Sequence, residues 1–272
     1  MKRLALFAIL FVFIFASLSS AQQPGETNPA APTSAAQTAP AMTPRETAEM
    51  RADIMMARKE YNEALSAYEQ LIKDEPKNAQ LLNKAGVACE QLGNFRAAER
   101  FYKKSVAADK SFSSPLNNMG SVEYQRKHYG KSIGLYKKAL ALETDQAAVY
   151  SNLGYSYFAN EQYAEAMDSF GKALAIDPAI FEHKGGTGSL IQQRSPTDPG
   201  MFYYFLAKAY AQTGDAARAA HYLKMARDDG YKDYLSAQND PAFANVIKDT
   251  RVQEVLQTQP PYVGQPSKPS PN

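Results

Sequence analysis

A spacing of 34 residues recurs along this chain and restricts its fold more than any other feature. Gly86, Gly120 and Gly154 lie 34 positions apart, each at the end of the pattern apolar-x-x-apolar-Gly. Such a period is the signature of repeat architectures, in which each unit buries its apolar face only by stacking on its neighbours. A second set of positions keeps the same spacing, a small residue followed four positions later by an aromatic one: Ala64 and Tyr68, Ala98 and Tyr102, Ser132 and Tyr136, and Ala166 and Phe170.

These four units resemble the tetratricopeptide repeat (TPR) family, in which each unit is a pair of antiparallel helices. Pro76 and Pro178 close the first and fourth units, while Arg51, Lys110 and Thr144 depart from the family pattern. The resemblance implies an all-α fold, a right-handed α-solenoid of helix-turn-helix repeats with one inserted loop and short C-terminal capping helices. Small residues allow close helix approach, and the aromatic residues fill the space between neighbouring units. The predicted structural repeat positions are Ala64, Tyr68, Gly86, Ala98, Tyr102, Gly120, Tyr136, Gly154, Ala166, Phe170, Pro178, Ala207 and Ala219.

The register breaks after Pro178. Ala207 and Ala219 follow Gly154 and Ala166 by 53 residues instead of 34, so both landmarks agree on 19 extra residues. We place this insertion at residues 179–200.

The insertion contains the stretch EHKGGTGSLIQQRS, whose glycines and lysine resemble a phosphate-binding loop. Lys184, however, precedes the glycines, and a predicted helix rather than a strand precedes the stretch. We expect a loop or hairpin packed against the stack, with a partner-contacting loop as the alternative.

The N-terminal region divides by composition. Residues 1–21 combine Lys2 and Arg3, an apolar run and small residues before Ala21, which predicts a signal peptide cleaved after Ala21; the alternative is an inner-membrane anchor. Residues 22–43 form a Pro/Ala/Thr linker that we expect to be disordered. Repeats 1–4 occupy residues 44–178 and begin at a capping box of Thr43 and Glu46.

The C-terminal region continues the helical pattern before it ends in a tail. Residues 201–258 are predicted to form a fifth repeat and short capping helices that start at Asp240 and Asp249. Residues 259–272 are rich in proline and are expected to be a disordered tail.

Composition and chemistry favour a protein-binding role over catalysis. The chain has 30 Lys and Arg against 28 Asp and Glu, and without Lys2 and Arg3 the two are equal. With no basic stripe expected, we predict no nucleic-acid partner, and membrane contact only if the signal segment stays uncleaved. His128, His183 and His221 lie far apart, and Cys89 is the only cysteine. We therefore predict no metal, no cofactor, no small-molecule substrate and no catalytic residue.

The resemblance also implies a binding groove, because the first helices of TPR units line a concave surface. Carboxamides there can bond a peptide backbone and aromatic rings can anchor it, although bonding between helices is the alternative for the asparagines. Some proteins of this family bind the C-terminal carboxylate of a peptide with a clamp of basic residues and asparagine. The predicted groove has Lys84 but not the other basic residues of such a clamp. The predicted groove residues are Asn83, Lys84, Asn117, Asn118, Ser121, Tyr124, Asn152, Tyr155 and Phe158.

Together these features predict an exported scaffold, periplasmic or secreted, that binds a partner protein or peptide in the groove. The alternative is a structural component of an envelope complex that acts through its convex face and the insertion at residues 179–200.

Overall fold

Consecutive antiparallel helix pairs make up the stack. The computed structural model describes residues 42–182 and 198–258, and these ranges contain helices and turns but no strand. The all-α prediction and the repeat architecture are confirmed. The helices are α1 (Pro44–Ala57), α2 (Tyr61–Asp74), α3 (Ala79–Gln91), α4 (Phe95–Ala108), α5 (Ser114–Gln125), α6 (Tyr129–Leu142), α7 (Ala147–Ala159), α8 (Tyr163–Ile176), α9 (Pro199–Gln212), α10 (Ala216–Asp228) and α11 (Thr250–Gln257), with 3-10 helices at Lys232–Gln238 and Pro241–Phe243.

The repeated glycines allow the two helices of a unit to pack closely. A Cβ atom added at Gly86 would lie 2.4 Å from the ring of Tyr102, and the same close approach joins Gly120 to Tyr136 and Gly154 to Phe170. These three aromatic side chains are fully buried. The aromatic residue therefore rests on the glycine of its own unit. It also packs towards the next unit, as expected, since Tyr102 shares a buried cluster with Val122 of α5.

The turn within each unit has the same geometry in all five pairs. Its second residue after the first helix has a positive φ, from 60° to 81°, and this residue is a glycine in only two units. Two backbone bonds close the turn, as from Asn94 N to the Cys89 carbonyl (2.9 Å) and from Gly93 N to the Glu90 carbonyl (2.9 Å). This is a Schellman motif, which satisfies carbonyls at a helix end. The five positions are Lys59, Gly93, Lys127, Glu161 and Gly214.

Caps fix the ends of the stack. The Thr43 side chain accepts from Glu46 N while Glu46 accepts from Thr43 N, so the predicted capping box is present. At the other end Asp240 and Asp249 cap the 3-10 helix and α11, as predicted. Arg227 is buried there, pairs with Asp228 and donates to the Val255 carbonyl.

Several predicted segments lie outside the described ranges. They are the signal peptide, all but the last two residues of the linker, the C-terminal tail, and most of the insertion with its glycine-rich stretch. Helix α9 begins at Pro199, where Asp198 accepts from Met201 N at 2.9 Å, so the described fifth unit starts two residues before residue 201. In the described part of the chain, no helix combines the length and hydrophobicity needed to cross a bilayer.

Candidate functional site

The first helices of successive units form the inner row of the stack. Helix α3 contacts α5, and α5 contacts α7, whereas the second helices of successive units have fewer contacts with one another. Helices α3, α5 and α7 are therefore packed on one another, and the residues predicted to line a groove lie on these three helices.

A ladder of polar side chains joins these first helices. Lys84 donates to Glu49 at 2.7 Å, Asn118 Nδ2 donates to Asn83 Oδ1 at 3.0 Å, and Asn152 Nδ2 donates to Asn117 Oδ1 at 3.1 Å. Each bond spans 35 residues, one more than the repeat. In these three bonds, which join units one to four, the sixth residue of one unit therefore bonds the fifth residue of the previous unit. The expected alternative for the asparagines, hydrogen bonding between helices, is thus present.

Lys84 is neutralised by the first unit. Its ammonium lies 2.7 Å from both Glu49 and Asp53, and Asp53 also accepts from the Tyr68 hydroxyl at 2.7 Å. Burial alone lowers the pKa of Lys84, but the two carboxylates outweigh that effect and the pKa is raised. The lysine is a structural cation that links units one and two, and its charge is already balanced before any ligand binds.

A second polar contact lies deeper between units two and three. The carboxyl of Glu90 accepts from the Tyr102 hydroxyl (2.7 Å) and from Gln125 Nε2 (2.9 Å), and the side chain is only 7% exposed. Burial raises the pKa of Glu90 to about 7, and the two hydrogen bonds oppose part of that rise. In unit three, Ser121 lies 3.1 Å from the Tyr136 hydroxyl, in a contact that corresponds to the one between Glu90 and Tyr102 in unit two.

The three aromatic groove residues have a different environment from the one expected. Tyr124, Tyr155 and Phe158 are 9%, 7% and 7% exposed. Tyr155 stacks on Phe202 of α9 with ring centroids 4.9 Å apart, and Phe158 packs edge-on against the same ring. Tyr155 and Phe158 thus hold units four and five together, whereas Tyr124 packs against Tyr129 of its own unit. The anchors expected for an incoming peptide are part of the core.

The accessible residues among those predicted to line a groove therefore lie on the first helices of units two and three. Asn152 is fully buried and Asn117 nearly so, whereas Asn83 and Asn118 are partly exposed. Asn83 and Asn118 retain donor or acceptor capacity beyond their ladder bonds, because an amide group has two N–H donors and two lone pairs. The accessible carboxamides on α3 and α5 are Gln80, Asn83, Gln91, Asn118 and Gln125.

Other reactive side chains have structural partners. His128 Nδ1 lies 2.8 Å from Glu123, His221 packs its ring against Tyr222, and Cys89 is a buried free thiol whose pKa burial raises to about 11. Within the described ranges, no cluster of three or more His, Cys, Asp or Glu side chains is arranged to hold a metal ion. His183 lies outside those ranges.

The overall charge balance concealed a local excess. The expectation of no basic stripe is wrong, because α4 and α6 together carry seven Lys and Arg side chains against a single carboxylate, Glu99. A sum over the whole chain averages this surface with acidic helices such as α2. The signal that reveals it is the pair of Lys-Lys dipeptides at 103–104 and 137–138, one repeat apart.

Comparisons with known proteins agree with this architecture. Family models of the tetratricopeptide repeat match residues 48–111, 120–161 and 147–179. Among solved structures, pilF of Pseudomonas aeruginosa is 16% identical, with a TM-score of 0.51 over 78% of this chain and 86% of its own. At that identity the likeness concerns the fold alone.

Two further structures are similar at lower TM-scores. MamA of Desulfovibrio magneticus RS-1 is 18% identical, covering 68% of this chain and 95% of its own at 0.48. YrrB, described as a TPR protein with an unusual peptide-binding site, is 15% identical, covering 71% of this chain and 91% of its own at 0.45. No curated protein matches the sequence significantly.

Proposed function

Because the chain belongs to the tetratricopeptide repeat family, we propose that it is an exported, non-enzymatic scaffold that binds an extended segment of a partner protein. The binding surface is the accessible groove, formed by the first helices of units two and three. The observation that carries the proposal is the set of five partly or fully exposed carboxamides along α3 and α5.

The chemistry of this surface suits a peptide backbone. Carboxamides donate and accept together, as an extended backbone does, and each bond contributes about 1 kcal/mol net. The fixed charges are already paired, since Lys84 is held by Glu49 and Asp53. Such a groove selects an extended conformation more than a particular charge, and Val87 adds a partly exposed apolar contact between the amides.

The polar ladder makes this groove rigid before binding. The Asn118 amide is fixed by bonds to Asn83 and Asn117, so its remaining hydrogen-bonding capacity points in a set direction. Pre-organised groups lose little side-chain entropy when a partner binds. The ladder therefore has two roles in the proposal, to join the units and to orient the amides.

The test replaces groove glutamines whose side chains do not hydrogen-bond to other described residues. Gln80 and Gln91 make no hydrogen bond within the described residues, so Gln80→Ala with Gln91→Ala leaves the ladder intact. A photoreactive residue at position 91 first crosslinks the partner segment, which mass spectrometry identifies. The segment is then synthesised, and its affinity is measured by calorimetry. We expect the double variant to weaken binding about thirtyfold, which corresponds to the loss of two bonds of about 1 kcal/mol each.

A matched control is available outside the groove. Asn62 and Gln238 are exposed and lie away from the first helices of units one to three. Replacing both with alanine should leave the affinity unchanged. Equal affinity of the Gln80/Gln91 variant and the wild type would refute the groove proposal.

Export is tested independently of binding. Residues 1–21 have the charge and apolar run of a secretory signal, so the exported protein should begin at Gln22. Mass spectrometry of the protein from cell fractions measures this directly. A chain that retains Met1 in the membrane fraction would instead establish an anchor.

A further inference from the structure

A row of lysines follows the repeat along the second helices, outside the groove. Lys104, Lys138 and Lys172 are separated by 34 residues and occupy the same place on α4, α6 and α8, and all three are exposed. The residue before the first two is also an exposed lysine, Lys103 and Lys137. Arg96, Arg100 and Lys131 complete the exposed cations of α4 and α6.

Most of this charge has no ion-pair partner among residues 42–182 and 198–258. Glu99 is shared by Lys103 and Arg126, and Asp168 pairs with Lys172 at 2.7 Å. Within the described ranges, Lys104, Lys137 and Lys138 form no ion pair. Unpaired cations that recur on adjacent helices repel one another, so a surface of this kind is stabilised by an anionic partner.

A cleft opens beside this row, between α6 and α8. It has a volume of about 330 Å³. Its apolar and aromatic lining comes from α6 and α7, and its polar lining comes from both neighbouring second helices: Leu140, Ala141, Tyr150, Leu153 and Tyr157, with Lys137, Glu165, Asp168, Ser169 and Lys172. Lys137 lies over the Tyr157 ring at 5.4 Å, and Lys172 lies over the Tyr150 ring at 5.9 Å, so a lysine stands beside each tyrosine. The cleft thus has an apolar and aromatic part next to the positive surface of α6. Its two carboxylates lie on α8, where Asp168 is paired with Lys172 and Glu165 accepts from Gln162.

We propose that this surface is a second docking site, which binds an acidic segment of a partner protein. The segment places its carboxylates over the lysines of α4 and α6 and inserts one apolar side chain into the cleft between α6 and α8. This site is separate from the proposed groove, and the two are occupied independently.

The cleft favours a protein over the other anions. A membrane surface or a phosphate backbone matches the lysines but has no single side chain to fill a concave apolar space. An acidic peptide with one large apolar residue matches both parts. The charge guides association, and the buried side chain fixes the position of the segment.

The test uses short fluorescein-labelled peptides of Asp and Glu around one central Phe, Leu or Tyr, measured by anisotropy with the full exported chain. Lys104→Gln with Lys138→Gln removes two exposed cations that have no ion pair in the described residues. We expect at least one peptide to bind and this variant to bind it about tenfold more weakly. Lys224→Gln with Lys232→Gln makes the same charge change elsewhere and should bind like the wild type.

The cleft is tested by filling it. Ala141 is exposed and lines the cleft, so Ala141→Phe occupies the space without disturbing a buried contact. Ala175, the equivalent exposed residue one unit later, does not line it and supplies the control Ala175→Phe. We expect only Ala141→Phe to weaken binding, and we expect an alanine-centred peptide to bind as weakly as that variant.

Three results would overturn the proposal. They are the absence of binding by every acidic peptide, equal binding by Ala141→Phe and the wild type, and tighter binding to another anion. For the last, phosphatidylserine vesicles and single-stranded DNA are the competing probes, and preference for either one would reassign the basic surface to a membrane or to nucleic acid.

Discussion

At the scale of single residues, the fit between a glycine and a ring decides how closely a unit packs. A Cβ atom at Gly120 would lie 2.6 Å from the Tyr136 ring, whereas Gly134 on the same pair of helices has open space around it. We predict that Gly120→Ala lowers the free energy of unfolding by about 1–3 kcal/mol, because the buried ring must shift. Urea denaturation measures the change.

The control for this prediction is the second glycine. Gly134→Ala should raise stability by about 0.5–1 kcal/mol, because alanine is the better helix former and nothing obstructs its methyl group. Equal effects of the two substitutions would contradict the packing explanation.

Glu90 makes stability depend on pH. Its pKa in the folded protein, about 7, lies above its ordinary value of 4.5, so the folded state binds the proton more tightly. The contribution of this carboxyl is therefore most favourable below pH 4.5 and is lost as the pH rises through 7.

Replacing this carboxyl with an amide tests the argument. Glu90→Gln keeps polar atoms beside Tyr102 and Gln125 without a buried charge, so we predict that it stabilises the protein above pH 7 by roughly 1–3 kcal/mol. Denaturant titrations across the pH range should show this gain shrinking towards pH 4.5. A stability gain that is the same at every pH would show that the pKa of Glu90 in the folded protein is not raised.

At the scale of elements, the turn between the two helices of a unit contains a recurring strain. Glu161 has φ of 60° where units two and five have glycine. We predict that Glu161→Gly stabilises the protein by roughly 0.5–1 kcal/mol, since relief of the left-handed strain exceeds the added entropy of the unfolded chain. Thermal and urea unfolding provide the measurement.

The reverse substitution serves as the comparison. Gly93→Ala introduces a side chain where φ is 73° and should destabilise the protein, although nothing lies within 4 Å of its Cβ. A neutral result for both variants would mean that the turn adjusts freely.

The sequence predicted the helix pairs better than their surroundings. The 34-residue register located the units and the buried glycines, and the local capping residues Thr43, Asp240 and Asp249 located helix ends. Both kinds of feature depend on contacts within one unit or at one helix end. The left-handed residues Lys59, Lys127 and Glu161 were not predicted, since the turn tolerates non-glycine residues when its hydrogen bonds are complete. The repeat pattern in the sequence does not show which non-glycine residues adopt a positive φ in these turns.

Burial at the groove depended on contacts between units. Counting positions within a unit placed Tyr155 and Phe158 on the groove face, but α9 of the next unit covers them through Phe202. The polar ladder had a signal that was overlooked, complementary residues at the fifth and sixth places of successive units, as in Asn83 and Asn118.

At the scale of the whole stack, the two ends differ in how much they bury. Ala52 is the only buried residue of α1, whereas α7 buries residues throughout its length and packs against aromatic residues on both sides. Stability in a repeat array is a sum over neighbouring interfaces, so the weakest end opens first.

Hydrogen exchange should reveal this gradient. We predict that the interior amides of α1 and α2 exchange faster than those of α7 and α9, because opening the first unit breaks one interface with few buried side chains. Mass spectrometry of deuterated protein resolves the helices separately. Uniform protection from α1 to α9 would imply that the stack unfolds as one cooperative body.

Binding in the groove can be followed through the side-chain amide signals of the protein. In an isotope-labelled sample, NMR follows the NH2 groups of Gln91 and Asn118 while the captured partner segment is added. We predict that these signals shift in step with binding and that those of Asn62 and Gln238 stay in place. Binding that leaves Gln91 and Asn118 unshifted would show that the partner binds outside the groove.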